Sequence, residues 1–182
     1  CIDPLRTSTC DYFGAEWIAP RPQTDVALLL GIAHTLFSEK LHDEEFLKTY
    51  TSGFDKFVPY LTGESDKTPK TAEWASAICD VPADVIKELA RQFAKDRTML
   101  AAGWSMQRQH HGEQVHWMLV TLASMLGQIG LPGGGFGFSY HYSGGGTPSA
   151  DAPVLSGISD GGKAVEGAAW LTENGAASIP VG

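Results

Sequence analysis

The sequence predicts an α/β fold, a Rossmann-like parallel sheet with flanking helices. Three observations carry that expectation. Residues 98–102, Thr-Met-Leu-Ala-Ala, form a short apolar run that stops at Gly103, as a buried parallel strand does. Residues 26–37 are apolar on nearly every face, which suits a helix held between other layers. Strand, loop and helix patterns alternate along the chain, the signature of parallel rather than antiparallel pairing.

The elements follow in order. Cys1-Ile2-Asp3-Pro4 reads as the end of a strand broken by proline, and residues 6–22 read as irregular. Thr24 is an expected N-cap for the apolar helix, with Asp25 favoured in its first turn by the helix dipole. Residues 43–50 predict a short helix capped by Asp43. Residues 51–70 carry Gly53, Pro59, Gly63 and Pro69 and read as loop with short turns. A short helix is expected over residues 71–78. Another follows Pro82, where Val85, Leu89 and Phe93, with Ile86 and Ala90, make one apolar stripe opposite Asp84, Lys87, Glu88, Arg91 and Lys95. After the strand at 98–102, a second buried helix begins near Glu113, and Gly127 or Gly130 and Pro132 end it. Residues 1–131 therefore read as an α/β segment and residues 132–182 as a glycine-rich loop region, partly disordered or incomplete.

Composition narrows the function classes. The chain has 182 residues and a formal net charge of -8, which argues against broad binding to nucleic acid or anionic membrane. No apolar run approaches the ~20 residues that a membrane span needs. The start on Cys1 without Met, and the accumulation of all but six of the 21 Gly from Gly127 onward, suggest a piece of a longer chain. Cys1, Cys10 and Cys79 match no zinc or CxxC spacing and read as small half-buried thiols.

Ligands of open α/β sheets bind beyond the carboxyl ends of the strands. Asp3 stands at one such end, where a carboxylate can bridge ribose hydroxyls, accept two guanine N–H groups, or simply cap the next turn. Gln23, Thr24 and Asp25 stand at a helix start and are also explained by capping. Residues 103–108 are harder to explain as scaffold. Gly103 allows close approach of backbone to a ligand, Trp104 is a flat wall with one donor, Ser105 and Gln107 are polar, and Arg108 offers a planar fork. His110, His111 and His116 lack the four-residue spacing of a helical metal pair and read as non-ligands, and His34 as a core polar group. There is no P-loop, no GxGxxG and no GxSxG.

Taken together, Ile2-Asp3-Pro4, Pro22-Gln23-Thr24-Asp25-Val26-Ala27-Leu28, Gly103-Trp104-Ser105-Met106-Gln107-Arg108 with His110-His111-Gly112-Glu113-Gln114, and Gly127-Gln128-Ile129-Gly130-Leu131-Pro132-Gly133-Gly134-Gly135 resemble the molybdopterin oxidoreductases of the dimethyl sulfoxide reductase family. The Trp-Ser-x-Gln-Arg stretch and Tyr140-His141-Tyr142-Ser143-Gly144-Gly145-Gly146 are most similar to its trimethylamine-N-oxide-reducing branch. The resemblance covers residues 1 to about 160 and implies a segment of a larger multidomain molybdoenzyme. It implies a bis(molybdopterin guanine dinucleotide) molybdenum cofactor, an N-oxide or S-oxide substrate, a cytochrome electron donor and a periplasmic location. It places Ile2, Asp3, Gln23, Thr24 and Asp25 at the guanosine end of one dinucleotide, and Trp104, Ser105 and Arg108 along its pterin and phosphate part. It also implies a serine ligand to molybdenum upstream of Cys1 and the rest of the second dinucleotide site downstream of Gly182, so the segment alone is expected to be inactive. Dimethyl sulfoxide and biotin sulfoxide reduction remain alternatives within the family. A non-enzymatic guanine-nucleotide-binding module is the alternative outside it.

Overall fold

The computed structural model describes residues 1–138. These contain seven α-helices, one 3-10 turn and two short strands that pair in parallel. The helices are α1 (Ser8–Phe13), α2 (Asp25–Ser38), α3 (Glu44–Tyr50), α4 (Phe54–Leu61), α5 (Ala72–Cys79), α6 (Ala83–Lys95) and α7 (Glu113–Met125). The strands are β1 (Met99–Ala102) and β2 (Gly135–Phe138), in register from Met99 opposite Gly135 to Ala102 opposite Phe138. A separate parallel bridge joins Ile2 to Ile18, through Ile18 N–H to Cys1 O at 2.9 Å and Asp3 N–H to Ile18 O at 3.0 Å. The expected mixture of helices and parallel strands is therefore present.

Helix α2 is the centre of the core and packs on α5, α6 and α7. Residues 27 to 33, Thr35 and Leu36 are all buried, as an apolar helix with no polar face requires. Leu28, Ile32 and Leu36 meet Leu61, Ile86, Leu122 and Met125 in one cluster. Asp43 caps α3 by accepting from Phe46 N–H at 2.8 Å, and Thr71 caps α5 by accepting from Trp74 N–H at 3.2 Å. Gln128 ties the end of α7 to the start of β1: its Oε1 accepts from Thr98 N–H at 2.7 Å and its Nε2 donates to Asp96 O at 2.9 Å.

Several local expectations are corrected. Residues 6–22 are not wholly irregular. Thr7 caps α1 by accepting from Cys10 N–H at 3.4 Å, and Gly14 closes the helix at φ +58°. Residues 51–70 hold α4, with Pro59 inside it. In so short a helix, proline forfeits little of the hydrogen-bond ladder. Thr24 occupies the N-cap position of α2 but its side chain does not cap it; its hydroxyl donates instead to Arg21 O at 2.6 Å. Pro82 lies one position before the first helical residue of α6. Strand β1 buries only Leu100, leaving Met99 and Ala101 exposed. Gly135–Phe138, inside the stretch read as glycine loop, is a strand. Residues 139–182 of that stretch lie outside the described residues.

Charge adds a pH dependence with a definite sign. Arg91 holds the Glu39 carboxyl below its ordinary range, Lys70 does so for Asp66, and Lys87 draws Glu73 down to about 2. Burial lowers His34 from its ordinary 6.5, with Glu73 opposing. A depressed folded-state value means stability that is present above the unfolded value and lost as pH falls. Urea unfolding should show two declines on acidification, one starting near pH 6.5 from His34 and one below about 4.5 from the carboxylates. His34→Gln should abolish the upper decline and leave the lower one. Survival of the upper decline in that variant would remove His34 as its cause.

Candidate functional site

Parallel pairing decides which loops share an edge. Because Ile2 and Ile18 bridge in parallel, Asp3 and the residues that follow Ile18 leave at the same end. That second path runs through Arg21, fastened by two hydrogen bonds of 2.8 and 2.9 Å to Asp80, and reaches Gln23, Thr24 and Asp25 at the start of α2. Strand β1 delivers Gly103 and the 3-10 turn Trp104–Gln107 from its own carboxyl end. Ile2, Ile18 and Leu100 line one cleft of about 610 Å³, so the bridge and β1 are neighbours.

The first cluster is engaged in local structure. Ile2 is 38% exposed. Asp3 is half-buried; its Oδ1 accepts from Leu5 N–H at 2.8 Å, and its backbone oxygen accepts from the Trp17 indole at 2.8 Å. The carboxylate thus caps the turn, the local role foreseen for it. A carboxylate has about four lone-pair sites, so one such bond leaves acceptors for a ligand. Gln23 is exposed at φ +65°, a left-handed backbone that a non-glycine residue adopts at some cost. Thr24 and Asp25 are half-buried, and the Thr24 side chain does not cap α2.

The second cluster is open. Trp104, Ser105, Gln107 and Arg108 are exposed, while Met106 turns inward against the core. Arg6, Arg21 and Arg91 each meet a carboxylate, whereas Arg108 makes no ion pair among the described residues. An indole face, a hydroxyl and an uncommitted guanidinium on one turn suit a ligand with a flat heterocycle and phosphate oxygens. Two supports of this turn left no mark in the sequence. The Gln109 amide donates to Met106 O at 3.0 Å, and His111 takes φ +58° to lead the chain into α7. The His110 and His111 rings lie 3.9 Å apart, and His111 Nδ1 is 3.5 Å from Glu113. Among the described residues, no group of three His, Cys, Asp or Glu side chains is placed to hold a metal. Cys10 and Cys79 are buried, Cys1 is exposed, and all three are free. No helix among the described residues is long and apolar enough to cross a membrane.

Comparison with known proteins converges on one family. The sequence profile described as molybdopterin oxidoreductase matches residues 1–175. The chain is 73% identical over 180 residues to the dimethyl sulfoxide/trimethylamine N-oxide reductase of Cereibacter sphaeroides, covering 99% of this chain and 22% of that protein. It is 58% identical over 182 residues to the trimethylamine-N-oxide reductase of Haemophilus influenzae, covering all of this chain and 22% of that one. Among solved structures, acetylene hydratase from Pelobacter acetylenicus superposes with a TM-score of 0.58 at 25% identity, over 70% of this chain and 17% of that one. The chain thus spans about a fifth of the length of these reductases. With a profile match over nearly its whole length, the chain belongs to the molybdopterin oxidoreductase family.

Proposed function

We propose that this chain forms part of the binding site for one guanine dinucleotide of a bis(molybdopterin guanine dinucleotide) molybdenum cofactor, within a longer enzyme that reduces trimethylamine N-oxide. The observation that carries the reading is the exposed turn of Trp104, Ser105 and Arg108 at the carboxyl end of β1, whose guanidinium makes no ion pair among the described residues. The donor set fits such a group. Arg108 and Ser105 would meet phosphate and pterin oxygens, Trp104 would wall the flat ring, and Asp3 would accept guanine N–H groups with the lone pairs its turn leaves over. Ile2 would flank the guanosine, and Gln23, Thr24 and Asp25 would border the same nucleotide. When bound, the cofactor supplies the oxygen-atom transfer and redox chemistry, while the protein binds and orients it.

The substrate, the periplasmic location and a cytochrome donor belong to the same proposal. The names of the similar reductases support the N-oxide substrate, and dimethyl sulfoxide is the second reading because two of those names include it. The test uses the full-length enzyme. Arg108→Ala should lower the molybdopterin content per polypeptide about tenfold, since charge-assisted contacts contribute roughly 1.5–3 kcal/mol. Asp3→Asn keeps an oxygen for Leu5 N–H but removes the paired carboxylate acceptors, so it should lose cofactor with little change in the unfolding midpoint of the cofactor-free protein. Wild-type cofactor content in both variants would sink the reading.

A further inference from the structure

Gly112 sits at the N-cap of α7 with φ −59° and ψ −25°, an ordinary right-handed conformation. Alanine would adopt that backbone without strain. Conformational freedom therefore does not explain glycine here; space does. A Cβ at position 112 would lie 2.6 Å from the carbonyl carbon of Gln107 and 2.7 Å from its Cα, and closer still to its oxygen. Gly112 is buried, and the atoms it would strike are backbone, so no side-chain rotation relieves the overlap. The start of α7 is thus pressed directly onto the last residue of the 3-10 turn that presents Trp104 and Ser105. Gln109 fastens the same turn through its amide to Met106 O at 3.0 Å, and Gly112 N–H donates to Gln109 O at 3.0 Å. Arg108 N–H closes the turn on Ser105 O at 3.0 Å.

We infer that Gly112 and Gln109 are positioning residues that set how far Trp104, Ser105 and Arg108 project from β1. Neither reaches a ligand itself. The missing side chain at 112 lets the turn settle onto α7, and the Gln109 amide keeps it there. The inference rests on the cofactor reading of this turn and adds which residues hold its geometry. An added methyl at 112 must lift the turn away from α7 by a large part of an ångström.

The test is made in the full-length enzyme with two readouts, cofactor content per polypeptide and the thermal midpoint of the cofactor-free protein. Gly112→Ala should lower cofactor content about tenfold, as Arg108→Ala does, because the lifted turn withdraws the charge-assisted contact of Arg108. Gln109→Ala should lower it less, with the midpoint nearly unchanged. Gly53→Ala is the comparator, at a left-handed glycine at the start of α4 with open space around it, where alanine adds backbone strain but no clash. It should lower the midpoint and keep the cofactor. Wild-type content in Gly112→Ala, or equal cofactor loss in Gly53→Ala, overturns the inference. If Gly112→Ala does not fold, wild-type content in Gln109→Ala overturns it. Cofactor loss in Arg108→Ala without loss in Gly112→Ala overturns the positioning role alone. Retention in both Arg108→Ala and Asp3→Asn overturns the reading beneath it.

Discussion

Gly31→Ala is expected to destabilise the chain by about 2 kcal/mol, although alanine is the better helix former by roughly 1 kcal/mol. Gly31 is buried in the middle of α2, where that helix crosses α5. A Cβ there would lie 2.6 Å from Ala75 Cβ, 3.2 Å from Ile86 Cγ2 and 3.6 Å from Ala72 Cα. Ala75 and Ile86 are both fully buried, so the neighbours have no free volume to yield into. The helices must separate, and the cost is shared across the core that α2 organises. The reciprocal variant makes the reasoning testable. Gly31→Ala with Ala75→Gly moves the methyl to the other helix and should recover most of the loss. Urea unfolding of wild type, both single variants and the double variant measures the coupling. Additive losses would show that the Gly31–Ala75 approach does not limit the packing of α2 on α5.

This close crossing marks where the sequence was easy to read and where it was not. Helix α2 is legible because its apolar residues have nowhere else to go, and α6 because Ile86, Leu89 and Ala90 fall on one buried stripe. Helix α3 announces itself through Asp43; Thr71, read as the first residue of α5, is its cap, and both side chains accept from the third helical N–H group. Helix α1 was missed because only Cys10 of its six residues is buried, so no periodic stripe exists to be seen. Helix α4 was missed because Gly53 and Pro59 read as breakers, while tertiary contacts of Phe54, Phe57 and Leu61 hold the turn together. Strand β2 alternates glycine with phenylalanine. Glycine carries no strand propensity, and pairing with β1 supplies the order that the residues themselves lack.

The candidate site was legible in the same uneven way. Residues 103–108 stood out because Gly, Trp, Ser and Arg gathered in a loop after an apolar strand suit a ligand better than a packed turn. Their placement on a turn at the end of β1 follows that expectation. Asp3 and Thr24 were ambiguous, and the structure shows why: each already serves a local turn, through Leu5 N–H and Arg21 O. The supports were illegible. That Arg21 grips Asp80 across 59 residues, or that Gly112 lies against Gln107, depends on spatial proximity that no spacing rule encodes.

Gly63→Ala should cost about 3 kcal/mol, and Gly53→Ala only about 1. Both glycines have left-handed backbones, at φ +81° and +90°, so an alanine at either position carries similar strain. Their surroundings differ. A Cβ at Gly53 meets nothing within 4 Å, whereas one at Gly63 would lie 2.7 Å from Pro69 Cδ and from Thr68 C, and closer still to Pro69 N. The obstacle is again backbone, and it belongs to the turn that seats Lys70. That side chain is buried, donates to Asp66 Oδ2 at 2.6 Å and to Thr68 O, and lies 4.3 Å from the centre of the Tyr60 ring. Displacing Thr68 and Pro69 therefore loosens the partners of a buried cation as well as the glycine's own contact, and unpaired buried charge is costly. Gly63→Ala should accordingly show a larger drop in urea midpoint and faster proteolytic cleavage within residues 62–70, while Gly53→Ala should show the smaller drop and ordinary cleavage there. Equal losses for the two variants would mean that backbone strain alone sets the cost and that the 62–70 turn yields freely to an added methyl.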